Sequence, residues 1–529
     1  MGYKGQSFTV PLGLEGLSTD DNQGRIPFTS LIRAKNISLT KGVVEKEPGS
    51  RRWNLFAMPS GVAGFFDWFP TPNIQRLIAV TKDGVVRRFL DAEASTIVTA
   101  SGSAPATLTG ISNQVTLVSG GSESAGRERK LFIFSSANPV QVIEGDATIR
   151  TNIATPTADW ATSNPTYGLI HRGRMVAFGN SSDPHRIYIS TPGDHENFVG
   201  SGALQFPIYP GEGEALMSGY VFRGRLFLFK SPTGVYYLDD TDPDPVNWGV
   251  KKMSSTFGAA SAHAAVAALN DLFVANSTGS VTSLTAAQEF GDINSGDLLR
   301  ILRNEGYMRD TTSQAGTQDR QTVYYENKKL AYFTYRSAGG IMNDRIMVVD
   351  FNLPSPRVLW SEKDQANCLG MKKDSLGIER PIYGSEDGYI YEMDRNDREV
   401  NGVGYEGEFQ TPHMDFGGQD PGLAEKNKLF DFLEVTFEET GNWPLSIDVF
   451  IDRQFTETLN FTLTKDSFLN NFFLNQDSTV GRMSQSFRIP LHGSGRRISF
   501  RCYNSGLRQN FKIAALTVYF RLSGDAQKG

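Results

Sequence analysis

Cysteine is nearly absent from these 529 residues: only Cys368 and Cys502, far apart in the chain. A disulfide framework of the kind that holds many secreted β-proteins is thereby excluded. The opening residues, MGYKGQSFTVPLGL, lack the charged-then-apolar pattern of a signal peptide. No apolar run approaches the ~18 residues of a membrane-spanning helix. A reducing cytoplasm is the expected place of synthesis and assembly. Positive charge is also short, with 52 Lys plus Arg against 58 Asp plus Glu, a net of −6. That gives no broad basic footprint for sequence-specific nucleic-acid binding. Sustained helical stripes are missing too. Asp297 to Tyr307 (DLLRILRNEGY) is the best candidate for a helix.

Turns and short strands are abundant. The 53 Gly and 24 Pro follow no collagen-like period and fit many turns between short strands. HRGRMVAFGN (His171 to Asn180) and FRGRLFLFKS (Phe222 to Ser231) repeat one phrase, an Arg-Gly-Arg turn followed by an apolar strand. A second phrase, polar run then Gly then alternating apolar residues, occurs four times. Its copies are TKDGVVRRF (Thr81 to Phe89), SPTGVYYL (Ser231 to Leu238), NSTGSVTSL (Asn276 to Leu284) and SEDGYIYEM (Ser385 to Met393). Asp83-Gly84 and Asp387-Gly388 are the dipeptides favoured in two-residue hairpins. The copies at Gly234 and Gly279 recur at about the 40–50 residues of a four-stranded propeller blade. A β-sandwich or a meander with ordinary hairpins would give the same local signal.

The expected fold is all-β: an irregular β-propeller of six or seven blade-like modules plus a C-terminal β-sandwich layer. Residues 1–55 read as an extended N-terminal arm joining that layer, with Arg51-Arg52 in a solvated turn. Residues 56–400 hold the modules, centred on 62–90, 95–150, 165–198, 214–242, 258–286, 320–362 and 366–395. Phe290 to Arg320 breaks the rhythm as an insertion. Residues 401–529 change texture to longer alternating strands such as FDFLEVTFEET (Phe430 to Thr440) and FKIAALTVYFRL (Phe511 to Leu522), as a sandwich requires. GVGYEGEF (Gly402 to Phe409) is the expected crossing segment.

Four groups of residues invite a chemical reading. Asp183, His185, Asp194, His195 and Glu196 lie close together, but their spacing matches no metal-ligand motif. Asp240, Asp242 and Asp244 alternate like the first ligands of a calcium loop. However, Pro245 stands where Gly is needed and Lys251 where the closing Glu belongs. SEDGYIYEM resembles a sialidase Asp-box but lacks its residue between Asp387 and Gly388 and its Trp. Arg496, Arg497 and Arg501 are split across a strand by alternation and fit an edge strand protected by charge. No nucleophile elbow, phosphate loop or zinc-binding helix motif occurs. The sequence predicts no catalytic residue, no cofactor and no metal.

The run from Tyr167 to Leu238, YGLIHRGRMVAFGN…HRIYISTPGDHENF…GEGEALMSGYVFRGRLFLFKSPTGVYYL, resembles the hub or nozzle proteins of short-tailed bacteriophages, the packaged-DNA stabilisation type. KNISLTKGVVEKEPGSRRW is similar to their N-terminal strand and turn. GEFQTPHMDFG with RRISFR…FKIAALTVYFRL looks like their C-terminal β-layer. The resemblance spans most of the chain as an order of features and departs at Phe290 to Arg320 and Gly120 to Lys130. It implies a structural virion protein and no enzyme. Such a protein forms a hexameric ring below the portal and its adaptor, or head-completion protein. The ring encloses the exit channel of the double-stranded genome without sequence-specific binding, retains packaged DNA, and docks tail fibres or tailspikes. The location implied is the virion tail, after assembly in the host cytoplasm. The loops Gly120 to Lys130, Pro207 to Glu214 and Phe290 to Arg320 are the expected partner contacts.

A competing reading is a carbohydrate-binding or carbohydrate-active β-propeller, with Trp68, Trp248 and Trp360 as sugar platforms. A third is an intracellular scaffold propeller that binds peptides, although no regular WD or kelch signature marks the blades.

Overall fold

A computed structural model describes the chain apart from residues 1–4, 19–25, 101–107, 112–114, 122–128, 145–147, 278–280, 291–318, 464–483, 524–529 and isolated positions between elements. The expected helix at Asp297 to Tyr307 and the Thr278-Gly279 turn lie outside the described residues. Among those described, seven blades form a closed ring, six of them small separate sheets and one part of a larger sheet. The first blade is Val62–Thr71, Ile74–Thr81, Val86–Phe89 and Ser95–Ile97. The second is Thr116–Gly120, Lys130–Ser135, Asn138–Glu144 and Thr148–Thr151, with Thr99–Ala100 added in parallel at its outer edge. The third runs from Tyr167–His171 to Leu204–Pro207 and the fourth from Ala215–Phe222 to Gly249–Ser254. The fifth has three described strands, Ala265–Ala268, Asp271–Ala275 and Val281–Ser283, followed by a short helix, Leu284–Phe290. The sixth spans Thr322–Tyr325 to Arg357–Ser361, and the seventh begins at Cys368–Lys373. Each innermost strand touches the next, and Cys368–Lys373 closes the circle against Val62–Thr71.

The repeated phrases mark the joints of this ring. Arg172-Gly173 and Arg223-Gly224 are the tips of the innermost hairpins of the third and fourth blades. Both residues of each pair sit at positive φ, as a type I′ hairpin requires. Each arginine then reaches beyond its own hairpin: Arg172 donates to the Asp240 carbonyl at 2.7 Å, and Arg223 to that of Asn270. The Asp-Gly turns serve the opposite rim. The Gly84 carbonyl accepts from Leu108 N–H, and the Gly388 carbonyl from Met58 N–H, both at 2.9 Å. A Cβ at Gly84 would stand 1.7 Å from the Leu108 oxygen, and one at Gly388 2.2 Å from that of Met58. Glycine is needed there for close approach as well as for its φ.

The N-terminal segment is woven through the whole molecule. Gly49–Arg52 pairs with Ile390–Arg395 as the outermost strand of the seventh blade. Arg51 and Arg52 therefore lie in a strand, and the solvated-turn expectation is corrected: the last blade has only three strands of its own and takes its fourth from the start of the chain. Gln6–Val10, Ile37–Thr40 and Val43–Lys46 join Lys428–Glu438, Ser484–Gly495 and Lys512–Leu522 in a six-stranded sheet. Arg33–Lys35 pairs with Trp360 on one side and with Gly407–Gln410 on the other. It thereby fuses the sixth blade with Ile498–Asn504, Trp443–Ile451 and Gln454–Leu463 into one nine-stranded sheet. The two large sheets bury alternate residues between them, including Leu433, Val435, Val518, Ile447 and Phe500. That apolar core is continuous with the fifth to seventh blades, while separate cores fill the other joints. Both cysteines are buried and unpaired, and burial pushes the Cys368 thiol up to about 12. Among the described residues no helix is long and apolar enough to cross a membrane.

Candidate functional site

The innermost strand of the first blade, VAGFFDWFPT, alternates in burial over its last four residues. Trp68 points into the core, whereas Phe65, Asp67 and Phe69 line a cavity of about 510 Å³ on the ring axis. The second blade contributes Leu117, Ser119 and Arg129 to the wall, and the seventh contributes Met371, Lys373 and Glu379. Phe65 lies over Gly370, where a Cβ would meet its ring at 2.5 Å. His263 and Gln321, ahead of the fifth and sixth blades, close the far end.

Electrostatics differ between the two ends. At the mouth, Gln75 donates to both Asp67 carboxylate oxygens at 2.8 and 2.9 Å, and Lys373 N–H donates to Oδ2 at 2.9 Å. Burial nonetheless raises the Asp67 carboxyl above its ordinary pKa. Lys373 pairs with Glu379 at 3.5 Å and lies 5.7 Å from the Phe69 ring centre. Arg129 is fixed by its own N–H to the Pro70 carbonyl at 2.9 Å, and the residue is exposed at the mouth. At the far end, His263 Nε2 lies 3.4 Å from the Thr116 hydroxyl, and the ring faces Tyr167 at 5.8 Å. Burial drops the His263 pKa to about 4, so the imidazole is neutral near pH 7. Gln321 is held by its backbone to Thr334.

The sequence candidates are placed elsewhere and take structural roles. Asp183 pairs with Arg186 at 2.6 Å. His185 Nδ1 is buried without a hydrogen-bond partner among the described residues, and His195 Nδ1 accepts from Gly121 N–H at 2.9 Å. Asp194 accepts from the Glu196 N–H at 3.2 Å, and Glu196 receives Lys130 at 2.6 Å. Among the described residues, no three metal-ligating side chains converge. Asp240 is buried between His171 Nε2 at 2.6 Å and Arg172 at 2.8 Å. Asp242 and Asp244 accept from backbone N–H groups within their own loop. The three aspartates thus diverge rather than surround an ion. Asp387 accepts from Tyr389 N–H and Tyr391 O–H, which serves the hairpin.

Two expectations are corrected. Arg501 is not on an edge: Ile498–Asn504 runs between two strands, and its guanidinium is held by Glu408 with Asp448 3.7 Å away. Arg496 and Arg497 occupy the turn before that strand, where Asp452 accepts from both N–H groups. Trp68 and Trp360 are fully buried and present no face to a sugar. Trp248 packs beside the core of the third and fourth blades, donates to the Asp242 carbonyl at 2.8 Å and stacks under Arg174. Two of the three loops expected to make partner contacts lie on opposite rims. Gly120 to Lys130 joins the first two strands of its blade, whereas Pro207 to Glu214 connects blades, and antiparallel order puts these on opposite rims. Residues 122–128, 213 and 291–318 of those loops lie outside the described residues.

The axial residues escaped the sequence reading because they are spread over five blades. One signal was present: Asp67 is a lone carboxylate inside an aromatic run, FFDWF.

No family model matches this chain, and no curated protein matches it. Among solved structures it is similar to the WD40 β-propeller domain of Doa1, at 10% identity and a TM-score of 0.37, covering 66% of this chain and 96% of that one. It is also similar to the exo-β-1,3-galactanase Pc1,3Gal43A of Phanerochaete chrysosporium with galactose, at 9% identity and 0.27, covering 90% and 100%. A glutamate-to-glutamine form of that enzyme with β-1,3-galactotriose gives 9% and 0.26, with the same coverage. At these scores the likeness carries no argument, and the ring described above rests on the chain's own strand pairing.

Proposed function

We propose that this chain is a structural subunit of a short-tailed phage tail, a nozzle that assembles as a six-fold ring beneath the portal and adaptor. The observation that carries the reading is the N-terminal weave. One segment, Arg33 to Arg52, bridges propeller to sandwich, joins a sandwich sheet and closes the propeller, so that force on either unit is borne by paired backbone. A part that must hold pressurised DNA needs such a joint. The axial cavity supports an assembled lumen rather than a path through one chain. At about 510 Å³ it cannot admit a duplex whose major groove alone is about 12 Å wide. A net charge of −6 limits adhesion of phosphates to that lumen. The test is native mass spectrometry and electron-microscope class averaging of the purified chain, alone and with portal–adaptor complexes. A six-fold ring supports the reading. A monomer indifferent to every tail component rejects it.

A second reading, a carbohydrate-binding propeller, is favoured by the cavity itself, which alternates aromatic rings with hydrogen-bonding groups. Asp67 is committed to Gln75 and Lys373, and Glu379 to Lys373, so binding suits these groups better than hydrolysis.

A further inference from the structure

Two unused hydrogen-bonding groups line the axial cavity. The Gln321 side-chain amide takes no hydrogen bond among the described residues. Arg129, at the mouth, has no acidic partner among them, whereas Lys373 beside it is already paired with Glu379. A guanidinium in that state offers a planar fork of donors matched to a carboxylate. Between these groups stand Phe65 and Phe69, apolar faces suited to the C–H side of a ring, and the Asp67 carboxylate, an acceptor for hydroxyl protons.

We propose that the propeller axis is a binding site for an acidic sugar, a pyranose bearing one carboxylate. The carboxylate meets Arg129 at the mouth, the ring lies along Phe69, and the hydroxyls reach Asp67 and Gln321. The volume is within the ~300–1,000 Å³ usual for small-ligand sites. It limits occupancy to a free monosaccharide or the end of an acidic glycan. The proposal rests on the second reading for its ligand class and is independent of ring assembly.

The test is calorimetric titration of the full chain with D-galacturonate, with galactose as the neutral comparison and tri-galacturonate as the chain-end probe. Galacturonate is expected to bind at least about tenfold more tightly than galactose, as a charge-assisted bidentate pair allows. Arg129→Gln, at an exposed position that leaves the fold intact, should remove that preference and spare galactose. Trimer binding equal to that of the monomer assigns a glycan end, and its exclusion assigns the free acid. Equal affinity for the two monosaccharides, an unchanged preference in Arg129→Gln, or no heat with galacturonate overturns the site. A ring that ignores both sugars would reject this site alone, whereas a sugar-binding monomer indifferent to the adaptor would reject the nozzle reading alone.

Discussion

Between the seventh and first blades, Val62, Leu77, Cys368, Ile382 and Ile390 pack with no charge among them. Where propeller, sandwich and N-terminal segment meet, the buried groups are ionic. Lys363 and Asp364 pair with side chains 1% and 0% exposed, and Glu47 lies 3.6 Å from the same ammonium. Asp364 also receives the Ser50 hydroxyl at 2.5 Å and the Tyr383 hydroxyl at 3.0 Å. Beside them Lys46 donates to Asn504 and the Gly506 carbonyl under the Tyr405 ring. An apolar joint is tolerant of register because burial has no direction. A buried ionic joint is weak as a source of stability but intolerant of misplacement, since each lost partner leaves an uncompensated charge. Between the seventh and first blades the buried contacts are apolar, whereas the third and fourth add Asp240 between His171 and Arg172. The cluster of Lys363, Asp364 and Glu47 lies where three distant segments must meet in one way.

The largest effect should come from breaking the ionic joint. Lys363→Met leaves Asp364 and Glu47 buried without their cation and should cost about 3–5 kcal/mol, read as a lowered thermal midpoint. A loss below about 1 kcal/mol, the usual worth of an exposed pair, would show that water already reaches the junction. The joint between the first and second blades should break next most severely, at the close approach of Gly84 to Leu108. Gly84→Ala forces a Cβ onto the Leu108 carbonyl at positive φ, and about 2–4 kcal/mol is expected. Gly173→Ala, at φ 68° with nothing within 4 Å, should cost only the backbone strain, about 1 kcal/mol. Equal losses in the two variants would refute the close-approach explanation.

Charge state sharpens the contrast further. Burial raises the Glu47 carboxyl above its ordinary pKa, against the pull of Lys363. Folding then binds a proton. The contribution is fully present below the unfolded value of about 4.3 and is lost as pH rises through the raised folded value. Glu47→Gln cannot lose it, so its stability relative to wild type should increase from about pH 4 upward. A difference that stays constant between about pH 4 and pH 8 would mean that Glu47 is not desolvated. The smallest effect belongs to the inter-blade clasp: Arg223→Ala removes one exposed hydrogen bond to Asn270 and should cost about 0.5–1 kcal/mol.

The same contrast explains what could be read in advance. Blade joints are local, so TKDGVV and SEDGYI announced their turns, and HRGR and FRGR their hairpins, within ten residues. The seven centres read from the sequence all fall on observed sheets. The edge placement of Arg501 and the solvated turn at Arg51-Arg52 failed because strand neighbours far apart in sequence decide both. Lys46 and Glu47 carry no local pattern, since Lys46 finds Asn504 and Glu47 finds Lys363 from distant parts of the chain. The axial cavity was hidden likewise: Asp67, Ser119, His263 and Gln321 converge only once the ring has closed.

Closure by the N-terminal segment is the central claim, and amide hydrogen exchange of the intact chain tests it directly. The N–H groups of Arg33–Lys35 and Gly49–Arg52 that enter strand pairing should exchange as slowly as those of the middle strand Ile74–Thr81, because all are opened only by unfolding the ring or its junction. Exchange of Gly49–Arg52 as fast as that of an exposed loop would mean that the seventh blade is not closed by the start of the chain, and the account of one welded body would fall.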